Sequence, residues 1–155
     1  MDANQPVAGA APLEVLEVPD CWALLREQPV GRLAVLHDGR PDIFPVNFVV
    51  DHGSVVFRTG SGTLFATTAG HWVAFEVDGY AVQDTTAWSV VVRGRAREVH
   101  DVDDILDVLT LPLLPWHAGP KPRLVRIEPD SISGRRFPVR GGYRPTTTGP
   151  ARPTE

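Results

Sequence analysis

Polar and apolar residues alternate in several stretches of the chain, which is typical of β-strands with one buried face. One such run, Gly31–His37, leads into Asp38-Gly39, and an Asp-Gly pair between two hydrophobic runs predicts a hairpin turn. The next run, Ile43–Val50, ends at a second turn, Asp51–Gly53, after which a third run begins. We therefore predict a three-stranded antiparallel meander over residues 30–59.

The second half of the chain contains three more predicted strands. His71–Asp78 is predicted to end at the turn Asp78-Gly79, and Trp88–Val99 follows as a long strand. Gly94 lies inside that long strand and predicts a bend or a bulge. Arg123–Pro129, with its continuation just beyond, forms the sixth predicted strand.

Three short helices are predicted among these strands. Asp20, directly after Pro19, is predicted to cap a helix whose apolar stripe includes Leu24 and Leu25. Residues 60–70 begin with Gly, Ser and Thr and end with Gly, which predicts a short second helix. A third helix is predicted downstream, where apolar residues recur at helical spacing behind a first turn rich in aspartate.

This order of elements predicts a mainly β (α+β) domain that folds as a closed or partly closed antiparallel barrel. Residues 17–137 are assigned to the domain. Residues 1–16 are assigned to a loose N-terminal segment. Residues 138–155 are rich in Pro, Gly and Thr and are predicted to form a mobile tail, because they hold too little apolar surface to offset the entropy of ordering.

Charge and composition narrow the classes of protein that fit. The 155-residue chain has 15 basic and 19 acidic residues and a formal net charge of −4, so we expect no nucleic-acid partner. No apolar run approaches the ~18–20 residues of a membrane-spanning helix, so we expect no membrane segment. The N-terminus carries no secretory signal pattern, which favours a cytoplasmic protein.

The side chains offer no self-sufficient catalytic set. The five histidines lack metal-ligand spacing, and neither a Cys–His cluster nor a Gly-x-Ser-x-Gly motif occurs, so we expect no metal site. The single cysteine, Cys21, excludes an intramolecular disulfide, and we interpret it as a small buried hydrophobic residue. Any reaction is therefore expected to depend on a cofactor.

The most informative segment joins the third strand to the second helix. It reads Phe57-Arg-Thr-Gly-Ser-Gly-Thr-Leu, with three hydroxyl side chains after an arginine. The free N–H groups of a helix N-terminus attract an anion, so this junction predicts a phosphate cradle completed by Arg58. The alternative interpretation is an ordinary capping loop without a ligand.

Several other residues are candidates for contact with a flat ligand. Trp88-Ser89 opens the fifth strand, and Trp116 lies in a Pro-rich loop; both indoles can stack on an aromatic ring, or can belong to the core or to a dimer contact. Asn47 is polar within an apolar run and needs hydrogen-bond partners if it is buried. Pro45 cannot donate to a strand ladder, so the sheet is predicted to have an edge, a bulge or an opening there.

A series of short motifs runs through roughly residues 17–136 in a fixed order. They are Cys21-Trp22 with Leu24-Leu25, Val30-Gly-Arg-Leu-Ala-Val, Pro41-x-Ile-Phe-Pro-Val-Asn-Phe, Val56-Phe-Arg-Thr, Val73-Ala-Phe-Glu-Val-Asp, Trp88-Ser-Val-Val-Val-Arg-Gly and Val125-Arg-Ile-x-Pro. The series resembles the pyridoxamine 5'-phosphate oxidase-like flavoproteins of the FMN-binding split-barrel superfamily, and is most similar to their small actinobacterial-type members.

This resemblance implies a six-stranded antiparallel split β-barrel with short flanking helices. It also implies a homodimer with two flavin sites at the subunit interface, an FMN cofactor or alternatively a deazaflavin, and oxidoreductase activity on an unidentified small molecule. The cofactor contacts that it implies are Pro45, Val46, Asn47, Phe48, Arg58, Thr59, Gly60, Ser61, Gly62, Thr63, Trp88, Ser89 and Trp116.

The chain also departs from the family pattern. Many relatives carry a phosphate-binding lysine where this chain has Leu64. The second strand lacks the arginine and lysine of true oxidases, which argues against pyridoxamine phosphate as substrate. No catalytic acid or base stands out, so a non-catalytic flavin- or haem-binding module, or a scaffold that has lost its cofactor, remains an alternative.

Overall fold

The structure, a computed structural model, describes residues 13–81, 83, 85–110 and 123–139. In these residues seven strands and three helices follow one another: β1 (Glu14–Leu16), α1 (Val18–Arg26), β2 (Val30–His37), β3 (Arg40–Asp51), β4 (Ser54–Thr59), α2 (Thr63–Thr68), β5 (Trp72–Ala81), β6 (Thr86–Glu98), α3 (Val102–Leu109) and β7 (Arg123–Pro138).

Six of the strands form a closed antiparallel ring in the order β2–β3–β4–β7–β6–β5. The ring closes because β5 pairs back onto β2, and because β7 pairs with β4 on one side and with β6 on the other. The predicted barrel is therefore confirmed. The seventh strand, β1, extends the sheet by pairing Glu14 with Arg136. It lies in the segment assigned to the N-terminus and was not predicted, because three residues are too few for a period-two pattern.

The barrel is split along β3, which changes neighbour halfway. Arg40–Asn47 pairs with β2, whereas Phe48–Asp51 pairs with β4. Pro45 lies in the first half, opposite Arg32, where the described strands give β3 no partner on its other side. A residue without an N–H is tolerated at such an edge, so the predicted opening of the sheet is found at Pro45.

Side chains that alternate inward along the strands fill the barrel. Leu33, Phe57 and Phe75 are fully buried there, and the rings of Phe48 and Phe75 meet edge to face with centroids 4.7 Å apart. Helix α1 packs on β7, β3 and β6, and buries Cys21 and Leu25. Each fully buried aliphatic or aromatic side chain of this kind contributes about 1.5–3 kcal/mol by leaving water.

Cys21 has the structural role expected from the sequence. Its side chain is fully buried, and an added Cβ at Gly134 would lie 2.6 Å from its Sγ atom, so the glycine makes room for the thiol. Burial, together with the nearby negative charge of Asp20, raises the pKa of the Cys21 thiol. The group therefore stays protonated and behaves as a small apolar residue.

Two local predictions are wrong. Helix α1 begins at Val18 with Glu17 as its N-cap, so Asp20 lies in the first turn rather than at the cap. Pro19 is the cause, because a proline is favoured in the first helical turn, where no N–H donor is needed. The predicted turn at Gly79 is absent, since β5 continues to Ala81.

Gly79 has a packing role instead of a turn role. It pairs with Trp88 across β5 and β6, and an added Cβ would lie 2.6 Å from the indole ring. The glycine is there because the ring covers its Cα. An Asp-Gly pair alone cannot distinguish this close approach from a turn.

The strand β7 contains a bulge opposite Gly94. The register shifts between Arg93, which lies opposite Ser131, and Gly94, which lies opposite Pro129, so Asp130 is the extra residue. An added Cβ at Gly94 would lie 2.0 Å from a main-chain oxygen of β7. The predicted irregularity at this glycine is confirmed.

A second, smaller hydrophobic cluster lies outside the barrel. Val56 of β4, Leu124 of β7 and Val99 are buried together there, with Ile105 of α3 packed against them. The third helix was predicted, and it covers this outer face of the sheet. None of the described helices is both long and apolar enough to cross a membrane.

Candidate functional site

The predicted phosphate cradle forms the loop between β4 and α2. Thr59 is buried, whereas Ser61, Gly62 and Thr63 are exposed. An added Cβ at Gly62 would meet no atom within 4 Å, so the space beside the loop is open. Among the described residues, nothing covers Ser61 and Thr63, so their hydroxyl groups are accessible to a ligand, whereas that of Thr59 is not.

Helix α2 contributes less positive electrostatic potential to this loop than its sequence suggests. It has six residues, its N-cap Gly62 provides no side-chain hydrogen bond, and its last turn holds no basic residue. Fewer than two turns of aligned peptide dipoles give a weak field. Within the part of the chain that the structure describes, positive charge at this junction comes from side chains of the neighbouring strands.

Arg58 provides one such charge. On β4, Val55 and Phe57 face the barrel core while Val56 faces the outer cluster, so the alternation places Arg58 on the outer face. Its Nε atom is buried and has no hydrogen-bond partner, and the described residues offer its guanidinium group no ion pair. A buried unpaired donor costs about 1–3 kcal/mol.

The predicted contacts on β3 divide between the two faces of the sheet. Val46 and Phe48 are buried in the barrel core, whereas Pro45 is exposed and Asn47 is half-buried on the outer face. Asn47 donates from Nδ2 to the main-chain oxygen of Pro29, at 3.3 Å. Phe48 pairs with Phe57, and beyond that pair Asn47 on β3 and Arg58 on β4 both lie on the outer face.

The structure does not bring Trp88 and Ser89 to this loop within one chain. Trp88 lies opposite Arg136, near the end of β7, whereas Thr59 lies opposite Arg123, at the beginning of β7. Trp88 is 9% exposed and packs in the core. This geometry corresponds to the alternative interpretation of a core tryptophan. Trp116 lies outside the described residues.

Sequence reasoning missed Arg123, which does reach the loop. Its Nε donates to Ser61 Oγ at 3.3 Å, and its guanidinium carbon lies 5.0 Å from the centroid of the Phe65 ring. Its Nη1 donates to Glu98 Oε1 at 2.7 Å. Nothing in the local pattern distinguishes Arg123 from the other arginines, because its position depends on the register of β4 with β7.

An apolar surface lies on the outer face of β2, β3 and β5. Leu36, Ile43 and Trp72 are 65%, 61% and 59% exposed there. Arg32 crosses this face, with Nη1 at 3.1 Å from Glu76 Oε2 and 2.8 Å from Asp78 Oδ1. We call it the β2–β3–β5 face. Large apolar side chains clustered on a surface mark an interaction site.

The carboxyl group of Glu76 on this face is perturbed. Burial, followed by the negative charge of Asp78, raises the pKa of Glu76, while the hydrogen bond and charge of Arg32 oppose the rise. A further loss of water at this surface would favour the protonated acid still more.

A cavity of about 350 Å³ lies elsewhere, between α3 and the turn that joins β3 to β4. Its lining includes the ion pair of Asp51 and Arg126, with Oδ2 and Nη2 2.8 Å apart. Ser54 lies at this cavity and Thr59 at the loop, so the two places are at opposite ends of β4. The cavity and the predicted cofactor contacts are therefore distinct. Within the described ranges, His, Cys, Asp and Glu form no group of three that could hold a metal ion.

Comparison with known proteins gives a consistent assignment. A family model described as pyridoxamine 5'-phosphate oxidase matches residues 17–136. An uncharacterized Mycobacterium tuberculosis protein, Rv0080, is 34% identical over 132 residues, which are 80% of this chain and 86% of that protein.

Solved structures resemble the same region. The FAD-binding protein from Mycobacterium smegmatis is 41% identical, with a TM-score of 0.72, over 80% of this chain and 99% of that one. A FAD-binding protein from Mesorhizobium loti is 25% identical, with a TM-score of 0.69, over 80% of this chain and 97% of that one. The match of the family model begins just before α1 and extends into β7, so it includes every strand of the closed ring. The chain belongs to the pyridoxamine 5'-phosphate oxidase-like family of split-barrel proteins.

Proposed function

We propose that this protein binds a flavin nucleotide, with a phosphate group at the β4–α2 loop and the ring system along the outer face of β3. The observation that carries the proposal is the guanidinium group of Arg58, whose buried Nε has no partner. An anion at the open loop would pair with the same guanidinium group at its other nitrogen atoms, since the residue as a whole is only half-buried. Asn47, at the adjacent outer position of β3, would supply an amide to a polar ring edge.

The form of the cofactor is part of the proposal. The family resemblance implies FMN, with a deazaflavin as the alternative, and two similar proteins are named as FAD-binding. These names support FAD as the form to test first. Each of these nucleotides carries phosphate on the side chain of a planar tricyclic ring, so each would place an anion at Arg58 and at the loop.

We further propose that this protein is an oxidoreductase and that it uses the bound cofactor to act on a small molecule. A flavin supplies hydride or electron transfer when bound. The chain's own residues would hold the phosphate at Arg58, orient the ring at Asn47 and limit the access of water. If no nicotinamide donor reduces the bound flavin, the alternative of a non-catalytic binding module is favoured.

The assembly that we propose is a homodimer joined through the β2–β3–β5 face. The exposed Leu36, Ile43 and Trp72 provide apolar surface, and the one guanidinium group of Arg32 pairs with both acidic side chains of this face, Glu76 and Asp78. The outer edge of β3 near Pro45 borders the same face, so a second copy would cover the flavin ring. The family resemblance implies a homodimer with flavin sites at the subunit interface, and the choice of this face is our own proposal.

Flavin titration tests the binding proposal. The unmodified protein is expected to quench the fluorescence of added FAD or FMN, whereas Arg58→Met is expected to weaken the affinity about tenfold, because a charge-assisted hydrogen bond is lost. Arg97→Met is the matched control, since Arg97 is a half-exposed arginine that pairs with Glu128 away from the loop. A parallel titration with a deazaflavin distinguishes the cofactor forms. Failure of all three to bind would refute the proposal.

Sedimentation analysis tests the dimer. Leu36→Glu is expected to weaken self-association at least about tenfold, because a carboxylate would be buried without a partner. Leu106→Glu on α3 is the matched control, because Leu106 is 56% exposed on a different surface. A monomeric parent protein, or equal weakening by both substitutions, would contradict the proposed interface.

A further inference from the structure

The loop that is proposed to bind phosphate has two arginines beside it, and they differ in their surroundings. Arg58 precedes the loop in the chain and has no counter-ion among the described residues. Arg123 reaches the loop from β7, because the register pairs it with Thr59. Its Nε atom donates to Ser61 Oγ, at 3.3 Å.

The guanidinium group of Arg123 is held from two further directions. Its carbon lies 5.0 Å from the centroid of the Phe65 ring, which restricts the plane of the group. Its Nη1 atom donates to Glu98 Oε1 at 2.7 Å, and Glu98 is itself only 16% exposed. A half-exposed arginine side chain normally loses considerable entropy when it is fixed, and here the ring and the carboxylate have already fixed it.

This position matters because α2 offers no cation of its own. The helix Thr63–Thr68 contains no basic residue, and Leu64, in its first turn, packs its side chain against the core cluster. Among the described residues, a ligand phosphate at the loop would therefore meet positive charge from the strands. Arg58 supplies such charge on the outer face of β4, and Arg123, which pairs with Thr59, supplies it on the other face beside Ser61, so a phosphate that contacts both would lie at the end of β4.

We infer that Arg123 is a second anion-binding residue of this site and that Glu98 is its positioning residue. The inference rests on the proposed function, since it concerns the phosphate of the same cofactor. In this arrangement Ser61 Oγ accepts from Arg123, so the Ser61 hydroxyl hydrogen is available to donate toward the ligand. Within the described part of the chain, Nη2 of Arg123 makes no hydrogen bond, so it too is available.

In this role Arg123 recognises the phosphate of the cofactor and not its ring. Replacing Arg123 should weaken binding of FMN and FAD, and should leave the affinity for riboflavin, which has the same ring without a phosphate, unchanged. The salt dependence of FMN binding should also fall, since one charge contact fewer is screened. A merely structural role of Arg123 would move all three ligands together.

The test compares Arg123→Met with the control Arg97→Met by fluorescence titration of FMN, FAD and riboflavin at two ionic strengths. Methionine keeps an unbranched stem against Phe65 and removes the charge. The expected result is an FMN affinity about tenfold weaker, an unchanged riboflavin affinity and an unchanged control. An equal loss for FMN and riboflavin, or no loss for either, would overturn the inference while leaving flavin binding established. No flavin binding by the parent protein would refute the proposed function instead.

Two substitutions at Glu98 test its positioning role. Glu98→Gln and Glu98→Ala remove the same charge, but only glutamine keeps an oxygen that can accept from Arg123. Glu98→Ala is therefore expected to bind FMN about threefold more weakly than Glu98→Gln, which corresponds to a modest loss of side-chain order. Equal affinities would show that Glu98 acts only through its charge and would overturn the positioning role.

Discussion

Replacing Asp51 with alanine is expected to lower the free energy of unfolding by about 3–5 kcal/mol, because it leaves a buried guanidinium group without its counter-ion. The side chains of Asp51 and Arg126 are only 11% and 10% exposed, and their Oδ2 and Nη2 atoms are 2.8 Å apart. Arg126 also donates to Ser54 Oγ at 2.6 Å, which ties the β3–β4 turn to β7. Denaturant unfolding followed by circular dichroism measures the change.

The chain contains a matched control for this prediction. Arg97 and Glu128 form an ion pair at 2.6 Å whose side chains are 49% and 54% exposed, so Glu128→Ala should cost less than about 1 kcal/mol. The double substitution Asp51→Ala/Arg126→Met should cost less than the sum of its single substitutions, since it leaves no uncompensated charge. Equal effects of Asp51→Ala and Glu128→Ala would contradict this account.

The second large effect is expected at Gly94. An added Cβ there would lie 2.0 Å from the main-chain oxygen of Glu128 and 2.8 Å from its carbonyl carbon. Backbone atoms on both sides of the bulge cannot move without breaking the pairing of β6 with β7. Gly94→Ala is therefore expected to cost about 3 kcal/mol or more, measured as a loss of stability in denaturant.

Gly62→Ala provides the comparison for Gly94→Ala. Gly62 has a φ of −86° and no neighbour within 4 Å of an added Cβ, so its replacement should cost about 1 kcal/mol or less, the usual loss for alanine at an N-cap. If Gly94→Ala fails to give folded protein while Gly62→Ala folds normally, the clash is supported. Similar stabilities of the two variants would show that the β6–β7 pairing adapts to the added methyl group.

The parts of the fold that sequence predicted best are those specified locally. The turn at Asp38-Gly39 was predicted from its two residues, and both adopt positive φ, of 51° and 71°. His52 and Gly53 do the same, with φ of 46° and 67°. These values match the backbone that a tight two-residue hairpin turn requires, so neighbouring residues alone determine the connection.

Features that depend on distant contacts could not be read from the sequence. Gly79 looked like a turn because its partner, the Trp88 ring, lies on another strand. Arg123 was overlooked because the pairing of Arg123 with Thr59 joins residues far apart in the chain. The segment Arg58–Thr63 was recognised because its composition is unusual, but the sequence could not show that α2 has only six residues.

Strand β7 has a further consequence for biosynthesis. It is translated after every other described strand, yet it supplies the partners of β1, β4 and β6. While a ribosome is still making residues 123–138, β4 and β6 expose unpaired edges that can associate with other nascent chains. The barrel can close only after this last strand has emerged, so folding is late, dominated by long-range pairing and slow for a domain of this size.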